Sequence, residues 1–128
     1  MKTSNKNITF LKENEVFVFG SNLSGIHGGG AAKQALQWGA IWGQGIGLQG
    51  KTYAIPTKSE GIQRTLYLKE IKPYVDQFIE FVKNNPDKNF LVTEIGCGLA
   101  GYSPKDIAPL FEEAKEVKNI FLPENFIK

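Results

Sequence analysis

Two glycine-rich segments, each set between a strand-like apolar run and a helix-like one, constrain this chain more than any other feature. The first follows Val16-Phe17-Val18-Phe19 and runs from Gly20-Ser21-Asn22 through Gly25-Ile26-His27-Gly28-Gly29-Gly30 into Ala31-Ala32-Lys33-Gln34-Ala35-Leu36. The second follows Phe90-Leu91-Val92-Thr93-Glu94-Ile95 and runs through Gly96-Cys97-Gly98-Leu99-Ala100-Gly101-Tyr102 toward Pro104. Glycine lets a backbone approach a ligand closely and take positive φ, and a helix N-terminus supplies N–H groups with no partner inside the helix. Two such loops at one edge of one sheet would hold a diphosphate from both sides. The pattern therefore points to a nucleotide-type ligand.

At 128 residues the chain is expected to form a single domain, 1–128, with one real core. Its apolar and charged fractions, 41% and 22%, are those of an ordinary globular protein. The formal charge is +2, and fourteen of the fifteen basic residues are lysines spread along the chain, so no basic stripe argues for nucleic acid. Cys97 stands alone, which excludes an internal disulfide and a cysteine-based zinc cluster; no metal or cofactor is expected. The N-terminal residues lack an apolar signal core and no apolar run is long enough to span a membrane. Cytoplasmic residence, with no membrane partner, is the expectation.

Strand and helix patterns alternate. Glu15–Phe19 is a nearly unbroken apolar run, as for a strand buried on both faces. Gly30–Trp38 has helical character, and Lys51–Pro56 reads as a strand. From Leu66 to Asn84, apolar residues at Leu68, Ile71, Val75, Phe78, Ile79 and Val82 recur at helical spacing, predicting an amphipathic helix that ends before Pro86. Asn89–Ile95 is a second buried strand. Ser103-Pro104-Lys105-Asp106 supplies an N-cap, a proline at N1 and an acid at N3 for a helix through Ala114. Lys118–Leu122 reads as a last strand and Asn7–Leu11 as a short first one. The predicted class is α/β, with a mixed, mostly parallel sheet flanked by helices on both faces.

Gly45-Ile46-Gly47-Leu48-Gln49-Gly50-Lys51-Thr52 matches the phosphate-binding pattern G-x-x-x-x-G-K-T, and its first six residues match the dinucleotide pattern G-x-G-x-x-G. Both mechanisms need a strand before the glycines and a helix after them. Here Tyr53-Ala54-Ile55-Pro56 follows, a strand pattern with a proline where the helix interior would be. Trp42 to Gly50 therefore reads as a mobile loop bordering a ligand site. Cys97 with His27 as its base has the residue types of a nucleophilic pair, but a lone cysteine beside an apolar strand reads as a small packing residue.

Phe19-Gly20-Ser21-Asn22 followed by Gly28-Gly29-Gly30-Ala31-Ala32 resembles the first ligand loop of macrodomains, the ADP-ribose-binding fold. Ile95-Gly96-Cys97-Gly98-Leu99-Ala100-Gly101 resembles the second macrodomain loop, and the likeness extends from about Val16 to Leu122. The closer similarity is to the subgroup that removes ADP-ribose from protein glutamate or from DNA, whose members carry Ile-Gly-Cys-Gly-Leu and a Thr-Lys pair. Ile55-Pro56-Thr57-Lys58 looks like that pair. Where protein-directed members place an aspartate after Gly-Cys-Gly-Leu, this chain has Ala100, and Ala31-Ala32-Lys33 supplies none of the acid that another hydrolytic class uses after its glycine triplet. The resemblance thus implies a three-layer macrodomain-like fold and binding of ADP-ribose or a related nucleotide. ADP-ribosylated protein or DNA is the implied target, and hydrolysis is the less supported half.

Carried over residue by residue, the resemblance makes Gly28, Gly29, Gly30 and Ala31 ligand-binding in the first loop. In the second it makes Gly96, Cys97, Gly98, Leu99, Ala100, Gly101 and Tyr102 so, with Tyr102 covering the distal ribose and Trp42 shielding the site. The dipole of the Pro104 helix would help hold the diphosphate. Lys58, Asn22 and His27 are the catalytic candidates. Lys58 would attack the anomeric carbon as a neutral amine or stabilise the leaving group. Asn22 would bond the distal ribose, and His27 would protonate a leaving group or touch that ribose. Asn7-Ile8-Thr9 faintly resembles the segment that grips adenine. Three alternatives stand beside this reading: a non-catalytic nucleotide-binding or sequestering module, a P-loop phosphohydrolase using Lys51 and Thr52, and an interaction domain with no ligand.

Overall fold

The computed structural model describes residues 3–127. In chain order its elements are β1 (Thr3–Ser4), β2 (Glu15–Asn22), α1 (Gly30–Ala35), β3 (Gly47–Gln49), β4 (Thr52–Lys58), α2 (Leu68–Lys83), β5 (Asn89–Val92), α3 (Pro104–Ile107) and β6 (Ile120–Pro123). Turns of 3₁₀ helix lie at Leu36–Trp38, Glu60–Ile62, Ala108–Glu116 and Glu124–Phe126. The strands form one sheet in the order β1-β6-β5-β2-β4-β3, every neighbour parallel except β3 against β4. This is the expected α/β class with a mixed, mostly parallel sheet.

The apolar run of β2 explains why the sheet is covered on both sides. Side chains alternate faces along a strand. Val16 and Val18 join Tyr53 and Ile55 of β4 in a large core with Ile71, Val75, Phe78, Ile79 and Val82 of α2. Phe17 and Phe19 turn the other way, into a smaller core with Ala54, Ile8 and the α1 residues Ala32 and Ala35. Phe78 sits against Tyr53, Phe90 and Phe111, with ring centroids 5.1, 5.8 and 6.5 Å away.

Three expectations about elements are corrected. Asn7–Leu11 forms no strand; the first strand is Thr3–Ser4, which finds a partner in Leu122 and Pro123 of β6, while Ile8 is buried in the smaller core. The segment Trp42–Gly50 is partly strand: β3 returns on β4 through a turn at Gly50-Lys51, closed by the Thr52 hydroxyl donating to Gln49 O at 2.7 Å. The helix from Pro104 keeps α geometry only to Ile107 and continues as 3₁₀ to Glu116. Pro109 accounts for this, because it has no N–H and its ring clashes with the carbonyl four residues back. Among the described residues no helix is long and apolar enough to cross a membrane.

Candidate functional site

Because β2, β4 and β5 run parallel, their C-terminal ends share one edge of the sheet, where ligands of open α/β sheets bind. There a cleft of about 440 Å³ opens, lined on one side by Gly28 to Ala32 and on the other by Gly96, Gly98, Leu99 and Ala100. That volume suits a small-molecule ligand. Asn22 and Lys58 are register partners at the ends of β2 and β4, and Thr93 and Glu94 follow β5. Lys58 and Glu94 are the charged residues among the described residues lining the cleft. With β2 between β4 and β5, an ammonium marks one end and a carboxylate the other.

The N–H groups of Gly28, Gly29, Gly30 and Ala31, and of Gly98, Leu99 and Ala100, meet no acceptor among the described residues. Unpaired N–H groups in two loops on opposite sides of one cleft are the raw material of an anion cradle. Three amides of the second loop are spent within it: Cys97 N–H donates to Glu94 O at 3.1 Å, Gly101 N–H to Gly98 O at 3.0 Å and Tyr102 N–H to Gly96 O at 2.9 Å. With α3 only one turn long, the loop amides rather than a helix dipole carry the electropositive character.

The first loop is held from behind. Asn22 closes its own turn, Nδ2 donating to Ile26 O at 2.8 Å and Oδ1 accepting Ile26 N–H at 2.9 Å. Its amide lines the cleft but is engaged in shaping the loop. Gly25 has φ +70°, and a Cβ there would sit 2.3 Å from Gln44 N, so only glycine lets this loop lie on segment 41–45. Gly43 N–H donates to Gly25 O at 2.8 Å, and the Ser21 hydroxyl bonds Gly45 O.

His27 does not reach the cleft, contrary to its expected catalytic role. It is 0% exposed, and Nε2 lies 2.9 Å from Ile41 O and 3.0 Å from Gln44 O. Two carbonyl partners require Nε2 to carry the proton, which leaves Nδ1 as a buried atom with no partner. The ring stands edge-on to Phe19 and Trp42 at 5.4 and 6.3 Å. Trp42 is 60% exposed behind the first loop and is not among the cleft-lining residues, so it does not shield the site as expected. Residues 45–52 also miss their nominal phosphate-binding context, since Thr52 opens β4 instead of a helix and the Lys51 ammonium donates to Lys12 O at 2.8 Å.

The second loop is tied from the sides. Gly96 has φ +79°, and a Cβ there would lie 2.8 Å from Ile107 Cδ1. The Tyr102 hydroxyl donates to Leu66 O at 2.7 Å and its ring packs against the large core, so this ring anchors the loop rather than covering a ribose. Thr65 Oγ1 donates to Ala100 O at 2.8 Å. Asp106 accepts from the Ser103 N–H and hydroxyl, both at 3.0 Å, and these bonds hold its carboxyl below the usual range. Cys97 is half-buried outside the cleft lining; burial first, then Glu94 and Asp106, push its thiol up to about 11. A thiolate nucleophile is therefore disfavoured; Cys97 packs against the large core and, like Gly101, is not among the residues lining the cleft, where the resemblance implied ligand contact for both.

Lys58 is partly buried and its amine has no hydrogen-bond or ion-pair partner among the described residues. Thr57 beside it is buried and donates to Ser21 O at 3.3 Å. Sequence reasoning missed Thr93, Glu94 and Ile62, all of which line the cleft. Glu94 had a signal, an acid at the end of an apolar run; Ile62, alone among polar neighbours, had none. Glu94 accepts from Asn125 Nδ2 at 2.7 Å. A second cavity of about 430 Å³ shares Thr93 and Glu94 with the cleft and is bounded by Asn5, Asn7 and Asn125. Among the described residues no cluster of His, Cys, Asp and Glu could hold a metal ion. No protein-family model, no curated protein and no solved structure matches this chain.

Proposed function

We propose that this chain is a three-layer, macrodomain-like module that binds ADP-ribose across the sheet edge. The carrying observation is the pair of loops whose free N–H groups, Gly28 to Ala31 and Gly98 to Ala100, line one cleft from opposite sides. The diphosphate lies between them, its oxygens accepting those N–H groups. The base lies at the Glu94 end, where the second cavity continues past Asn5 and Asn7, and the distal ribose at the Lys58 end. Of the segment suggested for adenine, Asn7 borders that cavity while Ile8 is core. Calorimetric titration tests this: ADP-ribose is expected to bind well and magnesium ATP weakly, and no heat with ADP-ribose overturns the reading.

The unpartnered Lys58 amine favours a second reading, release of ADP-ribose from a modified protein or DNA. In its neutral form the amine attacks the anomeric carbon, the bond to the carboxylate or base breaks with the leaving group taking the electron pair, and water then frees the sugar. Ala100, where a carboxylate would serve, favours the non-catalytic module instead. Lys58→Ala decides between them. Under the hydrolase reading it keeps ADP-ribose affinity and abolishes release from an ADP-ribosylated substrate; turnover unchanged by the substitution removes Lys58 from the mechanism.

A further inference from the structure

Ile62 has φ +57° and is the one non-glycine residue among the described residues with positive φ. A β-branched residue there is a true outlier, and it persists only where its surroundings over-determine it. They do so here. Ile62 N–H donates to Ser59 O at 3.0 Å, Ser59 N–H to Arg64 O at 2.8 Å and Arg64 N–H to the Ser59 hydroxyl at 3.0 Å. Gly61 N–H is tied to Ser24 Oγ at 2.8 Å, Lys58 bridges Thr65, and Arg64 forks onto Glu70 at 2.8 and 2.9 Å.

The turn itself does not need an isoleucine. Gly61, one residue earlier, already takes φ +68°, and glycine or asparagine at 62 would make the same turn with less strain. What the isoleucine adds is a side chain, 37% exposed, lining the cleft at the end marked by Lys58. Leu99, 82% exposed, lines the same cleft from the second loop. Both apolar residues line the cleft and are open to packing by a ligand that enters it.

We infer that Ile62 is a specificity-determining residue that packs on the group beyond the diphosphate, so that the cleft selects nucleoside diphosphates carrying a further sugar over those that end at the phosphate. This rests on the ADP-ribose reading. The test compares calorimetric affinities for ADP-ribose and ADP, with melting temperatures, in the wild-type chain and in Ile62→Gly, Ile62→Asn and Ile62→Val. The wild type is expected to prefer ADP-ribose. Ile62→Gly and Ile62→Asn should lower ADP-ribose affinity about tenfold, the scale of covering one such side chain, while ADP affinity holds within about twofold. The melting temperature should not fall, because both residues accept the left-handed conformation, and Ile62→Val should keep most of the preference. A ratio unchanged in Ile62→Gly, a parallel loss for both ligands, or a wild type indifferent between them overturns the inference while leaving ADP-ribose binding intact. A wild type that binds neither ligand overturns the ADP-ribose reading, and this inference with it.

Discussion

The first glycine loop leans on Leu36–Gly50, a stretch without a single charged residue, while the second is tied by hydroxyls and a carboxylate cap near solvent. Behind the first loop the contacts are buried: His27 between two carbonyls, Ser21 on Gly45 O, Gly25 against Gln44. Each buried polar group there depends on its partner, because the alternative is an unsatisfied atom shielded from water. Around the second loop the Ser103–Asp106 bonds are exposed, where water can replace a broken tie, and the Tyr102 and Thr65 bonds each hold a single carbonyl, so each matters less. The lesson is that one cleft wall should fail as a unit and the other by degrees.

Blocking either wall should have the largest effect. Gly29 has an extended φ of −156° and a Cβ there would be 3.9 Å from Leu99 Cδ1, while a Cβ at Gly98 meets nothing within 4 Å. Gly29→Glu and Gly98→Glu should therefore both fold, and each should weaken ADP-ribose by at least about a hundredfold by placing a carboxylate against the diphosphate. Loss in only one variant, read by calorimetry, would mean that a single loop holds the ligand.

His27→Leu comes next. It strips the donor from Ile41 O and Gln44 O, and urea denaturation should show a loss of about 2–3 kcal/mol together with weakened ligand binding. A loss below about 0.5 kcal/mol would break the contrast between the loops. Tyr102→Phe removes one hydroxyl from Leu66 O and keeps the ring in the core, so about 1 kcal/mol should be lost, with affinity nearly unchanged.

Acid should give the smallest effect, and on the second-loop side. The Arg64 side chain, then the Tyr67 N–H, hold the Glu70 carboxyl down to about 2. Ser103 lowers Asp106 in the same direction. A folded-state value below the unfolded one means that the stabilisation is present above about pH 4 and is lost as pH falls through the folded value. Melting temperature followed from pH 5 downward should therefore drop less steeply in Glu70→Gln than in the wild type, within the modest range of an exposed pair.

Much of the framework was legible because it repeats locally. The alternating Val and Phe of β2, the helical spacing from Leu68 to Val82 and the cap at Ser103 each carry their own periodicity or chemistry. β1 and β3 were not legible, since two- and three-residue strands exist only through their partners β6 and β4. In the site, the glycine triplet and Gly-Cys-Gly were readable as close-approach backbone. Side-chain roles were not: whether His27 points at a ligand or at Ile41 O, or Tyr102 at a ribose or at Leu66 O, depends on what the fold brings behind it. Ile62 depends on a backbone angle that no residue pattern announces.

Backbone amide spectroscopy during an ADP-ribose titration tests the central claim most directly. Saturable shifts are expected for Gly28 to Ala31 and for Gly98 to Ala100 together, with Lys51 and Thr52 unmoved. Shifts confined to one loop, or centred on residues 45–52, would contradict a diphosphate held between the two loops.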